Sequence, residues 1–82
     1  MYSLEFSKTA DKQLSKLDVL SQTRIVGSLE RIRIRPFSFV KRKQGTPNFI
    51  FRIGDYRVIL DIKKEILLIL VVEVGSRKNI YK

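Results

Sequence analysis

The sequence predicts a small α+β fold: an N-terminal strand, a helical hairpin, then a three-stranded antiparallel meander completing a twisted sheet with the helices packed on one face. Three observations lead there. Tyr2, Leu4 and Phe6 alternate with Ser3 and Glu5, the period of two that marks a half-buried strand. Ala10, Leu14 and Leu17, then Ile25, Leu29 and Ile32, recur at helical spacing behind two capping residues, Ser7 and Asp18. From Phe49 onward, apolar β-branched and aromatic residues dominate, interrupted by Gly54-Asp55.

Taken in order, Ser7 predicts the start of a helix at Lys8-Thr9-Ala10, its hydroxyl accepting from a free backbone N–H of the first turn. Asp18 does the same for a second helix that is expected to reach about Arg35. Pro36 ends it, because the residue before a proline is pushed out of the α region. Arg24, Arg31 and Arg35 are spaced by seven and four, which places them together on the face opposite Ile25, Leu29 and Ile32. Pro36 to Asn48 reads as a loop carrying Phe37, Phe39 and the basic run Lys41-Arg42-Lys43, closing on the turn chemistry of Gly45-Thr46-Pro47-Asn48. Strands are expected at about 48–53, 56–62 and 66–74. The last is apolar on both faces and so belongs at the centre of the sheet. In strand 56–62, Tyr56, Val58, Leu60 and Ile62 form a face for the helices, while Arg57, Ile59 and Asp61 form a mixed, open face.

The Gly54-Asp55 turn fixes a register. Glycine suits the first central position of a two-residue type II′ turn, which pairs Ile53 with Tyr56 and sets Arg52 directly across from Arg57. Like charges placed opposite one another destabilise a sheet unless something compensates them. A polyanion such as RNA compensates them.

Composition points the same way. The 82 residues suit one domain spanning 1–82, and 17 Lys+Arg against 8 Asp+Glu give a net charge of +9. The excess is uneven: residues 24–43 hold seven basic side chains against Glu30 alone, a net of +6. Cysteine and histidine are both absent, which removes a disulfide framework, a thiol nucleophile, the usual general base and the commonest metal ligands. Asp55, Asp61, Glu65 and Glu73 show no ligand-like spacing, so neither a metal nor a cofactor is expected. The N-terminus lacks the apolar stretch of a signal peptide, and the run Ile66–Val72 is far too short to span a bilayer, so a cytoplasmic protein with no membrane role is expected.

Four residues form the candidate catalytic set: Arg52, Arg57, Arg77 and Tyr81. Guanidiniums converging on one sheet face hold a phosphodiester by planar, bidentate hydrogen bonds and stabilise charge developing on phosphorus. Lys41, Arg42, Lys43, Arg24, Arg31, Arg35 and Lys78 are candidates for contacts that position RNA without reading it. Without histidine, the general base must come from Tyr81 or from a lysine, with Lys41, Lys43 and Lys78 available. Nearby arginines would favour the phenolate of Tyr81.

The order of these features resembles the RelE/ParE toxin superfamily. The resemblance is carried by K-x-x-x-K-L at Lys12–Leu17, a basic loop with Gly45-x-Pro47, the run Gly54-Asp55-Tyr56-Arg57, and Val74-Gly75-Ser76-Arg77 followed by Tyr81. It implies a RelE-like fold and a toxin of a toxin–antitoxin system that cuts messenger RNA in the ribosomal A site. The implied reaction is metal-free attack of the RNA 2′-hydroxyl on the adjacent phosphodiester, and the implied partners are the ribosome with its mRNA and a cognate RelB-like antitoxin. By the same resemblance Arg57 and Arg77 correspond to phosphate-binding and transition-state arginines, and Tyr81 to a C-terminal catalytic tyrosine. Some members carry two lysines in the strand before the hairpin, where this sequence has Ile50, Phe51 and Arg52; Arg52 replaces charge there, but a guanidinium does not deprotonate. Two other readings remain open at this level: a ParE-like inhibitor of DNA gyrase, and a basic RNA-binding protein without catalysis.

Overall fold

A computed structural model of the chain describes residues 1–76. Arg77, Lys78 and Tyr81 therefore lie outside the described residues. Strand β1 (Ser3–Phe6) leads into helices α1 (Lys8–Ser15) and α2 (Val19–Arg31). A 3-10 turn at Pro36–Ser38 precedes β2 (Lys41–Arg42), β3 (Phe49–Ile53), β4 (Tyr56–Lys63) and β5 (Leu68–Ser76). The sheet order is β1-β5-β4-β3-β2, with β1 parallel to β5 and every other pair antiparallel. This is the α+β arrangement expected, with β5 inside the sheet.

Both helix starts are set by their capping residues. Ser7 Oγ accepts from Ala10 N–H at 3.0 Å, and Asp18 accepts from the Ser21 backbone N–H at 3.2 Å and from the Ser21 hydroxyl at 2.7 Å. Those two Ser21 bonds, the hydroxyl first, hold the Asp18 carboxyl below its ordinary value of 3.8. A lowered folded value means the contribution is in place above the ordinary carboxylate range and is lost as the pH falls through the lowered one. Asp18→Asn keeps an acceptor without a charge. Thermal melts should therefore show a wild-type advantage over D18N at pH 6 that shrinks as the pH is taken below the ordinary carboxylate range.

The α2 helix ends at Arg31, not at Arg35 as the proline alone suggests. The chain leaves the helix earlier because β1 captures it: Tyr2 N–H donates to Arg33 O at 2.9 Å, and Arg33 Nε returns a bond to Tyr2 O at 2.8 Å. Arg35 then sits in a non-helical conformation (φ −140°, ψ 69°), so it does not continue the row of Arg24 and Arg31. The basic loop is also more ordered than expected, since Lys41 and Arg42 pair with Ile50 and Phe49 as a two-residue edge strand. Charged side chains on so short an edge discourage pairing with other chains. Strand β5 begins two residues late. Lys64–Ile66 forms a 3-10 turn and Leu67 adopts φ +52°, which brings β5 back beside β4.

One irregularity sets the faces of β5. Leu60 pairs with Val71 but Ile59 pairs with Glu73, so Val72 is the extra residue of a β-bulge. Ser7 Oγ donates to Val72 O at 2.7 Å, and Gln13 Oε1 accepts from Val74 N–H at 2.6 Å. Helix α1 and its cap thus satisfy the β5 backbone beyond the end of β1. The bulge puts Val71 and Val74 on the same side. There they join Val58, Leu60 and Ile69 against Ala10, Ile25 and Leu29 in one core under the helices. Among the described residues no helix is long and apolar enough to cross a membrane.

Candidate functional site

The β3–β4 hairpin turns on Gly54 at φ +58°, while Asp55 keeps a negative φ, the pattern of a type II′ turn. Ile53 consequently pairs with Tyr56, and Arg52 with Arg57. Leu60 and Val58 face the helices, so Arg57 and Ile59 between and beside them face the opposite, open side. Across that side runs a rung of Gly75, Arg57 and Arg52, and next to it a rung of Glu73, Ile59, Ile50 and Lys41. Gly75 brings no side chain to the first rung, which leaves it to the two guanidiniums.

Arg57 is only 4% exposed and Ile59 only 2%, whereas Arg52 is exposed. The pair therefore sets a buried guanidinium beside a solvent-exposed one. Both border a cleft of about 300 Å³ whose other walls are Phe39, Lys41, Arg42 and Ile50. They also border a second hollow, of about 260 Å³, formed with the turn residues Gly54, Asp55 and Tyr56. The Arg42 guanidinium lies 5.1 Å from the centroid of the Phe49 ring, a cation–π contact that anchors the short β2 edge. The Tyr56 hydroxyl donates to Ser21 Oγ at 3.2 Å, tying the hairpin to the start of α2.

The positively charged candidates divide by place. Arg52, Arg57, Lys41 and Arg42 share the open-face cleft. Arg24 and Arg31 line a separate groove with Arg52 on the other side of β3. Lys43, half-buried, has its backbone tied to Asn48 O at 2.9 Å, and neither it nor Arg35 lines these hollows. Sequence reasoning missed three contributors. Phe39 borders both the cleft and the groove, Gly75 clears space beside Arg57, and Glu73 stands on the rung next to Arg57. Glu73 shares the parity of Ile69 and Val71 in the sequence, and only the bulge at Val72 turns it to the open face. Among the described residues no group of three or more acidic side chains could hold a metal ion.

Gly54 is held by two constraints at once. Its φ of +58° disfavours any side chain, and a Cβ there would lie 2.8 Å from both Nη1 and Nη2 of Arg24. Gly54→Ala should therefore cost about 1–2 kcal/mol and lower the melting temperature by roughly 5–10 °C. A melt within a degree or two of wild type would show that the turn relaxes freely.

Residues 4–81 match the model of the family described as the ParE toxin of the type II toxin–antitoxin system parDE. No curated protein matches the chain. Among solved structures, a chain of the RelBE2 toxin–antitoxin complex of Mycobacterium tuberculosis is similar at 25% identity and TM-score 0.83, covering 93% of this chain and 98% of that one. A chain of the archaeal RelE–RelB complex from Pyrococcus horikoshii is similar at 24% identity and TM-score 0.79, covering 93% and 94%. The isolated RelE toxin of E. coli is similar at 20% identity and TM-score 0.78, covering 93% and 84%. At those lower identities the likeness is one of fold.

Proposed function

The chain belongs to the ParE toxin family of type II toxin–antitoxin systems, within the RelE/ParE superfamily, and from that premise we propose that it is a ribosome-dependent endoribonuclease of messenger RNA. The observation that carries the reading is the pairing of Arg52 with Arg57 on the open face, beside Lys41 and Arg42 and across from Gly75. In the proposed reaction the RNA 2′-oxygen attacks the adjacent phosphorus. Its proton passes to a general base, and the bond from phosphorus to the 5′-oxygen breaks as that oxygen takes up a proton from a general acid or water. The products are a 2′,3′-cyclic phosphate and a 5′-hydroxyl. Arg57 and Arg52 hold the non-bridging oxygens and stabilise their growing charge. Arg77 is proposed to add a third guanidinium, and Tyr81 or a lysine to move the proton. Glu73, on the neighbouring rung, is a further base within the same face.

The ribosome delivers the message in a fixed conformation, which would supply the orientation that a shallow cleft does not. Complexes of RelE with RelB among the similar structures support a RelB-like antitoxin as the neutralising partner. An acidic or amphipathic antitoxin segment laid over the arginines would block the cleft by charge complementarity. The ParE description of the matched family favours one other reading, inhibition of DNA gyrase without RNA cleavage.

A purified translation system separates the two. Adding the protein should halt peptide synthesis and leave messages cut on the ribosome, while plasmid supercoiling by gyrase proceeds unchanged. Intact messages together with blocked supercoiling would establish gyrase as the target instead.

A further inference from the structure

A second gathering of arginines lies around the β3 edge from the cleft. Lys41 and Arg42 pair only with Ile50 and Phe49, so beyond Ile50 the outer edge of β3 has no strand beside it. Helix α2 stands there instead, and Arg24 and Arg31 from the helix join Arg52 from β3 in lining a groove of about 380 Å³. Each helix guanidinium has a defined neighbour. Arg31 Nη2 donates to the hydroxyl of Ser28, which is 7% exposed, at 3.1 Å. The Arg24 guanidinium lies against Gly54, at the one turn position where a Cβ would displace it. Among the described residues none of Arg24, Arg31 and Arg52 has a carboxylate at pairing distance. Three unneutralised cations in one groove repel each other, and a polyanion relieves that repulsion. Phe39, 56% exposed, borders both this groove and the open-face cleft, as does Arg52. The two hollows thus adjoin at the strand edge.

We propose that the groove is a second phosphate subsite for the same RNA strand. The strand crosses the β3 edge over Arg52, stacks a base on Phe39, and places neighbouring phosphates on Arg24 and Arg31. An exposed aromatic between basic side chains is how sequence-tolerant single-strand sites hold successive nucleotides. The inference rests on the reading that the Arg52–Arg57 cleft receives RNA.

The test uses the full chain and two fluorescein-labelled RNAs, a trinucleotide and a decanucleotide, both 2′-O-methylated so that no cleavage occurs. Anisotropy is followed across a salt series. Arg24 and Arg31 are exposed, so R24A/R31A should fold as wild type. The double variant should bind the decanucleotide roughly tenfold more weakly at low salt, with the slope of log K against log salt reduced by about 1.4, some 0.7 per lost phosphate contact. Its trinucleotide affinity should stay within about twofold of wild type. Phe39→Ala should weaken the decanucleotide by roughly tenfold with the salt slope unchanged. An unchanged slope and affinity in R24A/R31A, with Arg52→Ala still weakening both RNAs, would overturn the subsite and leave the cleft intact. A hexaglutamate peptide that binds wild type but not R24A/R31A, without displacing the decanucleotide, would also overturn it by making the groove a protein-docking surface. Absence of RNA binding by the wild type would remove cleft and groove together.

Discussion

Arg57→Ala is expected to lower RNA cleavage on the ribosome by at least roughly a hundredfold, a loss of about 3 kcal/mol in transition-state stabilisation by analogy with the removal of one oxyanion donor. The size follows from placement. Arg57 is 4% exposed between Gly75 and Arg52, so its fork is fixed in one position and shielded from water. A charge–phosphate interaction in such a place is worth far more than the same pair in bulk solvent. Truncation also removes packing from a buried position, so cleavage must be read beside a thermal melt. Arg57→Lys supplies the complementary arm. It keeps the charge and much of the stem but loses planar, bidentate geometry, and should retain RNA affinity while cleaving far more slowly than wild type. A folded R57A protein cleaving at the wild-type rate would remove Arg57 from the mechanism.

Leu60→Ala is expected to have the largest effect on stability. Leu60 is fully buried in the core cluster that includes Ala10, Ile25 and Leu29 of the helices, paired with Val71 at the bulge and with Phe49 on its other side. Truncating a leucine in such a core costs about 2–5 kcal/mol, set against a total stability of roughly 5–15 kcal/mol for a domain. The midpoint of thermal unfolding should fall by roughly 10–30 °C. Leu20→Ala is the control, because Leu20 lies exposed on α2 and its loss should change stability by no more than about 0.5 kcal/mol. Equal effects from the two would contradict the placement of the core under the helices.

The parts of this molecule that local chemistry decides could be read from the sequence. Ser7 and Asp18 cap their helices because a side-chain oxygen one residue before a helix has few better partners than the free N–H groups ahead of it. The Arg52–Arg57 pair followed from Gly54, since a two-residue turn with glycine first leaves only one register. What escaped depends on contacts between distant segments. Arg35 lies off the helix because Tyr2, thirty-one residues from Arg33 in sequence, draws the chain toward β1. Lys41 and Arg42 form a strand only because Phe49 and Ile50 offer an edge. Alternation along β5 assigns Glu73 to the core side, and the bulge at Val72, held by Ser7, reverses it. The same bulge brings Gly75 opposite Arg57. The grouping of Arg24 and Arg31 with Arg52, and the part of Phe39 in joining two hollows, likewise needed the tertiary packing of α2 beside β3.

If paired arginines on the open face of the sheet promote RNA cleavage by its own 2′-hydroxyl, the ends of the fragments carry the signature. The most direct measurement is chemical analysis of RNA ends after wild-type and R57A proteins act on programmed ribosomes. Wild type should yield fragments ending in 2′,3′-cyclic phosphate and beginning with 5′-hydroxyl, and R57A almost none. Fragments carrying 5′-phosphate, or cyclic ends formed equally by both proteins, would contradict it.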